Sequence, residues 1–246
     1  MNKSYMPWFE WNGENSYANG LWIKKLPPII RAEERRQDVI IPGRAGALTL
    51  TEGKDIYDSY LKEVVVTTVN TNHRLQHVLD WLRGDGELVM CNEDQFVYKA
   101  RIAGTVKFER DGNDFLVAKI PFFVQPFKYK KHPDSVTSTD ASWTLYNPGN
   151  VASRPIVHIT RSGNTYVKIG GIKISFTHVS GTIDIDCAAG MVTQDGAAWP
   201  GSGSGTYTIE PDEGYEADFW WLEPGNNEIT RGNECTVRIE PRWRWV

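Results

Sequence analysis

Alternation of apolar and polar residues along most of the chain predicts a protein built mainly of β-strands. In the first half, the β-branched run at 61–69 is typical of a central strand. Asp111 to Asp114 has the composition of a hairpin turn, and Pro42-Gly43 suits the second and third positions of a type II turn. Further strands are predicted at 87–91, 96–103, 105–110 and 115–123.

One helix is predicted in the first half, at about 72–83, with Gly84 as its C-terminal stop. A helix this short is marginal alone, so it must pack on a sheet. The first domain is therefore expected to hold several antiparallel strands and one packed helix, in a closed or nearly closed sheet. The candidate N-caps are Asn70, Thr71 and Asn72, and the apolar stripe comprises Leu75, Val78, Leu79 and Leu82.

The second half has short β-type runs throughout and predicts an antiparallel sandwich. Gly170-Gly171 between two such runs predicts a hairpin. The composition then changes to a stretch rich in Lys, Pro, Ser and Thr, which indicates a connector. The predicted domains are therefore 1–128 and 142–246, with a linker at 129–141. The strands are predicted at 155–160, 165–169, 172–176, 182–186 and 236–240, and a flexible loop at 199–205.

Charge is distributed unevenly along the 246 residues. Residues 1–140 hold 19 basic and 19 acidic side chains, whereas residues 141–246 hold 8 and 12, which accounts for the net charge of −4. Because nucleic-acid binding draws most of its affinity from a basic surface, this balance argues against a DNA-gripping protein. It remains compatible with DNA that passes through without sticking.

Three cysteines, Cys91, Cys187 and Cys235, are widely spaced and form no CxxC pair. Small buried thiols in a reducing compartment are the expected state. The N-terminal residues show no apolar stretch of signal-peptide length, and no later run has the length of a membrane span. We therefore expect a protein made in the cytosol without a visible export signal.

Metal chemistry is considered at His73, His77 and Asp80, which share one face of the predicted helix. The zinc-protease pattern requires Glu directly after the first His, where this chain has Arg74. The face also lies opposite the apolar stripe. We therefore predict a solvated polar face, with no metal and no cofactor.

Acid–base chemistry is considered at Asp184 and Asp186, which emerge on one face of a strand. Asp212, in a loose acidic turn with Glu213 and Glu216, would complete a glycosidase-like set. Nothing in the spacing requires that arrangement. A solvent-exposed strand face that carries acidic side chains is the simpler interpretation. The Gly/Ser run at 201–205 fits neither a nucleophile elbow nor a phosphate loop. No catalytic residue is predicted, and the chain is expected not to be an enzyme.

Ten tryptophans are more than a chain of this size ordinarily holds. Trp199, Trp220 and Trp221 are candidates for stacking on sugar rings, against the alternative of core or interface packing. Neighbouring residues of a strand face opposite ways, so at most one of Trp220 and Trp221 joins a given platform. The alternative function is therefore a carbohydrate-binding adhesin that recognises host surface glycans.

Five segments in order resemble the distal tail proteins of siphophages, over nearly the whole chain. The turn at 41–46 resembles the family's PGRxG turn, and 81–88 resembles its WLxGxGxL segment. The entry to the second half, Asn147-Pro148-Gly149-Asn150 followed by 153–156, the segment at 222–229 and the closing 241–245 complete the pattern.

This resemblance implies a tail-tube-like β domain that assembles into a six-membered ring, and a galectin-like sandwich outside it. The implied function is a structural hub at the virion tail tip, assembled in the bacterial cytoplasm. Its implied partners are copies of itself, the tail tube protein and tail-tip or receptor-binding proteins. DNA would pass through the ring without specific binding, and no membrane insertion is implied.

Overall fold

The computed structural model describes residues 6–51, 53–70, 72–200, 205–232 and 234–246, with residues 72–74 described by their backbone alone. The chain divides into two compact units, the first ending at Lys131 and the second running from His132 to Trp245. Each unit has its own apolar core. The prediction of a mainly β, antiparallel protein is confirmed. The described ranges contain no helix that is long and apolar enough to cross a membrane.

The first unit is an antiparallel sheet with one helix packed on it. Its pairing order is β2-β1-β7-β8-β10-β6-β3, and β9 also pairs with β10. The predicted closure of the sheet is not seen, because the described ladders end at β2 and β3. The elements are β1 (Phe9–Trp11), β2 (Glu14–Asn15), β3 (Trp22–Lys25), β4 (Arg36–Ile40), β5 (Ala47–Thr51), β6 (Tyr60–Val69), α1 (Asn72–Trp81), β7 (Asp85–Met90), β8 (Phe96–Ile102), β9 (Lys107–Asp111) and β10 (Phe115–Lys130).

The helix α1 packs on the sheet through a narrower apolar stripe than the sequence predicts. Val78 and Leu82 are buried, but Leu79 is exposed. Trp81 packs against the core instead of Leu79. Its ring stacks on Phe9 with centroids 5.7 Å apart, and its Nε1 donates to the carbonyl of Trp11. Thr71, one of the predicted N-caps, lies outside the described residues.

Strands β4 and β5 form a separate two-stranded hairpin in the described part of the chain. The type II turn predicted at Pro42-Gly43 joins them: Gly43 has φ 84°, and the Arg44 N–H donates to the Ile41 carbonyl at 3.1 Å. Backbone hydrogen bonds from Arg35 to Ile56 and from Asp58 to Glu33 close the base of the hairpin. We call residues 33–58 the arm.

The second unit is a sandwich made by two long strands that pass from one layer to the other. β13 pairs with β19 along its first part and with β18 along its last part, and β14 likewise passes from β17 to β15. Both layers contribute to one core. The sandwich strands are β11 (Val136–Ser138), β12 (Ser142–Asn147), β13 (Ile156–Ile169), β14 (Ile172–Asp186), β15 (Met191–Gln194), β16 (Ala197–Ala198), β17 (Thr206–Pro211), β18 (Gly225–Arg231) and β19 (Thr236–Glu240). The short strand β20 (Arg244–Trp245) follows them and does not join their ladders.

The hairpin predicted at Gly170-Gly171 is present, since Ile169 pairs with Ile172 across it. The segment predicted as a linker at 129–141 contains strand residues. β10 continues to Lys130, and β11 pairs with β19 of the second unit. Much of the predicted connector is therefore part of the two units. The loop predicted at 199–205 falls largely on residues 201–204, which lie outside the described residues.

Candidate assembly surface

Exposed large apolar side chains are concentrated in the first unit. Of the fourteen in the described residues, eleven lie in the first unit and three in the second. Because exposed apolar groups are candidates for interaction sites, this asymmetry makes the first unit the candidate for association. The eleven are Met6, Tyr17, Leu26, Ile29, Ile40, Ile41, Leu50, Leu61, Val69, Leu79 and Phe115.

The arm carries the most exposed of these side chains, Ile40, of which 81% is accessible. Ile41 follows at the turn, and Leu50 lies on β5. Among the described residues the two strands pair only with each other, so no further strand covers these groups. An isolated two-stranded hairpin is marginal in water. The arm therefore has the composition of a segment that gains stability against a partner surface.

A groove of about 320 Å³ lies between the segment that leads into the arm and strand β6. Its apolar walls come from both sides, and Lys25, Glu63 and Lys119 provide charged groups among them. The apolar lining residues are Leu26, Pro27, Pro28, Ile30, Leu61 and Val65.

Several strands of the first unit leave a backbone edge open. In the described residues β2 pairs only with β1, β3 only with β6, and β9 only with β10. Unpaired N–H and C=O groups on such edges are templates for strand addition by another chain. The arm, the groove and these edges are therefore the candidate interaction surfaces of the first unit.

A buried charge network lies beneath this surface, at the ends of β6, β7 and β10. Lys62 is fully buried, with Nζ 3.9 Å from a carboxylate oxygen of Glu93 and 3.2 Å from the carbonyl of Pro28. Glu93 also accepts hydrogen bonds from Lys128 at 2.8 Å and from the Tyr98 hydroxyl at 2.5 Å. Each buried charge thus has at least one polar partner.

The pKa values in the network follow from burial and from these contacts. Burial lowers the pKa of Lys62, and the neighbouring Glu93 only partly offsets it. Burial alone would raise the pKa of Glu93, but hydrogen bonds from Lys128 and Tyr98 hold that pKa below its usual value. Burial and the Glu93 charge raise the pKa of Tyr98. Glu93 therefore stays ionised and remains paired with the ammonium groups of Lys62 and Lys128.

The three tryptophans considered for sugar stacking occupy two environments. Trp199 and Trp220 are buried in the core of the second unit, and Trp220 Nε1 donates to the carbonyl of Ile172. Both rings are enclosed by the core, whereas Trp221 is covered by cationic groups. Trp221 is half-buried, with the Arg154 guanidinium 3.9 Å and the Arg244 guanidinium 5.8 Å from its ring centroid. Trp220 and Trp221 lie outside the strands of the described structure, so the argument from strand alternation does not apply to them.

The acidic residues considered for catalysis are held by structural partners. Asp184 lies 2.5 Å from His158, Asp186 is bound by both guanidinium nitrogens of Arg242 at 2.8 Å, and Asp212 accepts from Lys168 at 2.6 Å. Asp186 also accepts the backbone N–H groups of Ala188 and Ala189. The hydrogen bonds from Arg242 lower the pKa of Asp186. Glu213 and Glu216 are exposed in the turn that follows β17.

His77 and Asp80 are exposed on α1, whereas the side chain of His73 lies outside the described residues. Within the described part of the chain, no three His, Cys, Asp or Glu side chains are grouped as metal ligands would be. All three cysteines are free thiols, and burial raises the pKa of Cys187 to about 12.

Sequence reasoning misses the residues that organise both units. Lys62 reads as an exposed position of β6 and Glu93 as a loop residue, because only their three-dimensional partners reveal them. Arg242 occupies a left-handed backbone conformation, φ 54°, that no local pattern marks. The arm's apolar residues are visible in the sequence, but they read as ordinary strand positions.

The described residues thus form two antiparallel β units, the first with a single packed helix and most of the exposed apolar side chains. A comparison with solved structures finds the same fold in the crystal structure of SPP1 Dit (gp 19.1), described as a paradigm of hub adsorption apparatus in Gram-positive-infecting phages. The match has a TM-score of 0.73 and 16% sequence identity, and it covers 95% of this chain and 97% of that one. The predicted resemblance is therefore confirmed at the level of the fold. No family profile and no curated protein matches the sequence.

Proposed function

We propose that the chain is a non-enzymatic hub protein of a long-tailed phage or prophage, and that its first unit builds a six-membered ring at the tail tip. The ring would join the tail tube to the tip or receptor-binding proteins and surround the DNA path. The fold shared with a phage hub protein over nearly the full length supports this class of function.

The observation that carries the proposal is the asymmetry of exposed apolar side chains between the two units. Closed rings use heterologous contacts, in which one patch of each subunit meets a different patch of the next. The first unit offers the arm as one patch and the groove with its free strand edges as another. An obligate ring contact is expected to bury on the order of 2,000 Å² or more, and apolar side chains supply its driving force.

The second unit is proposed to lie on the periphery as a galectin-like sandwich. Residues 141–246, which make up most of this unit, hold 8 basic and 12 acidic side chains, so six copies packed at the centre would repel one another. The first 140 residues are charge-balanced, which suits a channel that must release its DNA. Assembly in the bacterial cytoplasm and a place in the finished virion tail complete the proposal.

A matched pair of substitutions tests the proposal. Ile40→Asp places a charge on the arm, where the side chain is 81% exposed and contributes little to the monomer. Tyr146→Asp makes the same change on the second unit, at a side chain that is 63% exposed. Light scattering at high protein concentration should give hexamers for wild type and Tyr146→Asp, and subunits for Ile40→Asp. Hexamers in all three, or their loss only in Tyr146→Asp, would assign assembly elsewhere.

A further inference from the structure

Strand β3 stops pairing with β6 where the chain reaches two consecutive prolines. Pro27 and Pro28 have no N–H, so the segment leading to the arm cannot extend the ladder of β3 along β6. The Pro28 carbonyl nevertheless has a donor, the Lys62 ammonium, at 3.2 Å. A side chain from β6 thus satisfies a carbonyl of the segment at a point where the β3–β6 ladder has ended.

The Lys62 ammonium is itself fixed from three sides. Besides Pro28, it lies 3.9 Å from Glu93 and 5.1 Å above the ring of Tyr98. Glu93 sits in the turn after β7, where its N–H donates to Met90 and its carbonyl accepts from Phe96. Lys128, near the end of β10, holds the other carboxylate oxygen of Glu93. The network therefore joins three separated parts of the first unit to the segment before the arm.

A buried ammonium is costly, and hydrophobic side chains of similar volume usually serve stability as well or better. Specificity of conformation is one reason to retain such a group. Here the ammonium donates to the Pro28 carbonyl, in the segment that follows the end of the β3–β6 ladder. We propose that Lys62 is a positioning residue. Its hydrogen bond to Pro28 fixes residues 26–32, the lead-in to the arm, and so holds the arm in one orientation. We call this contact the lock.

The lock concerns the single chain and does not depend on the ring. Its consequence for assembly, that a fixed arm presents Ile40 and Leu50 correctly to a second copy, rests on the proposed function. An experiment on local opening therefore separates the two, because the lock can be present whether or not the chain forms hexamers.

The test is hydrogen exchange of the full chain, followed by mass spectrometry on peptides that cover residues 29–35 and 56–60. Lys62→Met removes the donor to Pro28 but leaves Glu93 bound to Lys128 and Tyr98, so no unpaired carboxylate is created. Lys128→Met is the matched control, because it breaks the other ion pair of Glu93 without touching Pro28. We expect exchange at the base of the arm to rise at least tenfold in Lys62→Met and less than threefold in Lys128→Met.

Unchanged exchange in those peptides of Lys62→Met would overturn the lock. So would an equal rise across β6 and β10, since that would show a general loss of stability. Glu93→Gln keeps the shape of the side chain while removing its charge, and it provides the test if Lys62→Met does not fold. In that variant we expect hydrogen exchange to rise at least threefold at the base of the arm and not elsewhere. If exchange at the base of the arm did not rise, the proposal would be contradicted.

Discussion

The Asp186 carboxylate is committed to structure at both of its oxygens. Arg242 binds it with two hydrogen bonds, and the N–H groups of Ala188 and Ala189 donate to the same side chain. A carboxylate in this position fixes the turn after β14 and the segment after β19. It is not available as a general base, which removes the central residue of the glycosidase alternative.

Asp186→Asn keeps the acceptor for the turn but loses the charge that Arg242 binds. The unfolding free energy of the second unit should fall by ~1–2 kcal/mol at neutral pH, allowing for partial exposure. Because folding lowers the pKa of Asp186, its contribution is present above an unfolded pKa of about 4 and is lost as pH falls through the folded pKa. Urea titrations should therefore show the two proteins converging in acid. A constant difference down to pH 2 would contradict this role, and Glu228→Gln, at an exposed position of β18, serves as the control.

The adjacent tryptophans should respond differently to truncation. Trp220→Ala empties a fully buried site and breaks the hydrogen bond to Ile172, so it should cost ~3–5 kcal/mol. Trp221→Ala removes the stacking with Arg154 at a half-buried position and should cost ~1 kcal/mol. Urea unfolding monitored by far-UV circular dichroism measures both. Equal costs would mean that the two side chains are misassigned. Glycan binding that is lost only in Trp221→Ala would instead favour the adhesin alternative.

At the scale of elements, the turn at Asn147-Pro148-Gly149-Asn150 is closely approached by the start of β20. A Cβ on Gly149 would lie 2.4 Å from the carbonyl oxygen of Arg244. Backbone cannot yield as a flexible side chain does, so Gly149→Ala should destabilise the second unit by ~2–3 kcal/mol. Gly170→Asn, in an open turn, should cost less than ~1 kcal/mol. Calorimetric melting temperatures compare the two, and a neutral Gly149→Ala would refute the close approach.

Long strands with clear alternation are the elements that the sequence predicts well. Strand β19 matches its predicted bounds, and β6 differs by one residue, because each is buried on one face and alternates cleanly. β10 is longer than predicted, since Pro126 suggests an end. In the structure Pro126 falls in a bulge between Val124 and Lys128, where no ladder donor is needed. Short strands such as β1 and β12 lack enough residues to show a period.

The candidate assembly surface is less predictable than the fold. Whether Ile40 is core or surface depends on whether a third strand covers β4, and tertiary pairing alone decides that. The lock at Lys62 depends on residues 34 and 31 positions away, Pro28 and Glu93. The two buried tryptophans were candidates for binding because composition does not distinguish a packed ring from an open platform.

At the scale of the whole molecule, the predicted boundary between domains remains to be tested. A fragment of residues 132–246 should unfold cooperatively as a monomer, because its core is formed within the unit. A fragment of residues 142–246 lacks β11 and leaves β19 unpaired on one side, so it should be less stable. Thermal melts of both fragments, with light scattering, measure these differences. Identical melting temperatures would restore the predicted linker at 129–141.

The central claim is that this chain forms a six-membered ring through its first unit. Electron microscopy of the purified full-length protein, with class averaging, tests it most directly. The account predicts rings of six subunits with a central opening, in which the second units project at the periphery. Particles without rotational symmetry at every protein concentration, or rings whose inner wall is formed by the second unit, would contradict it.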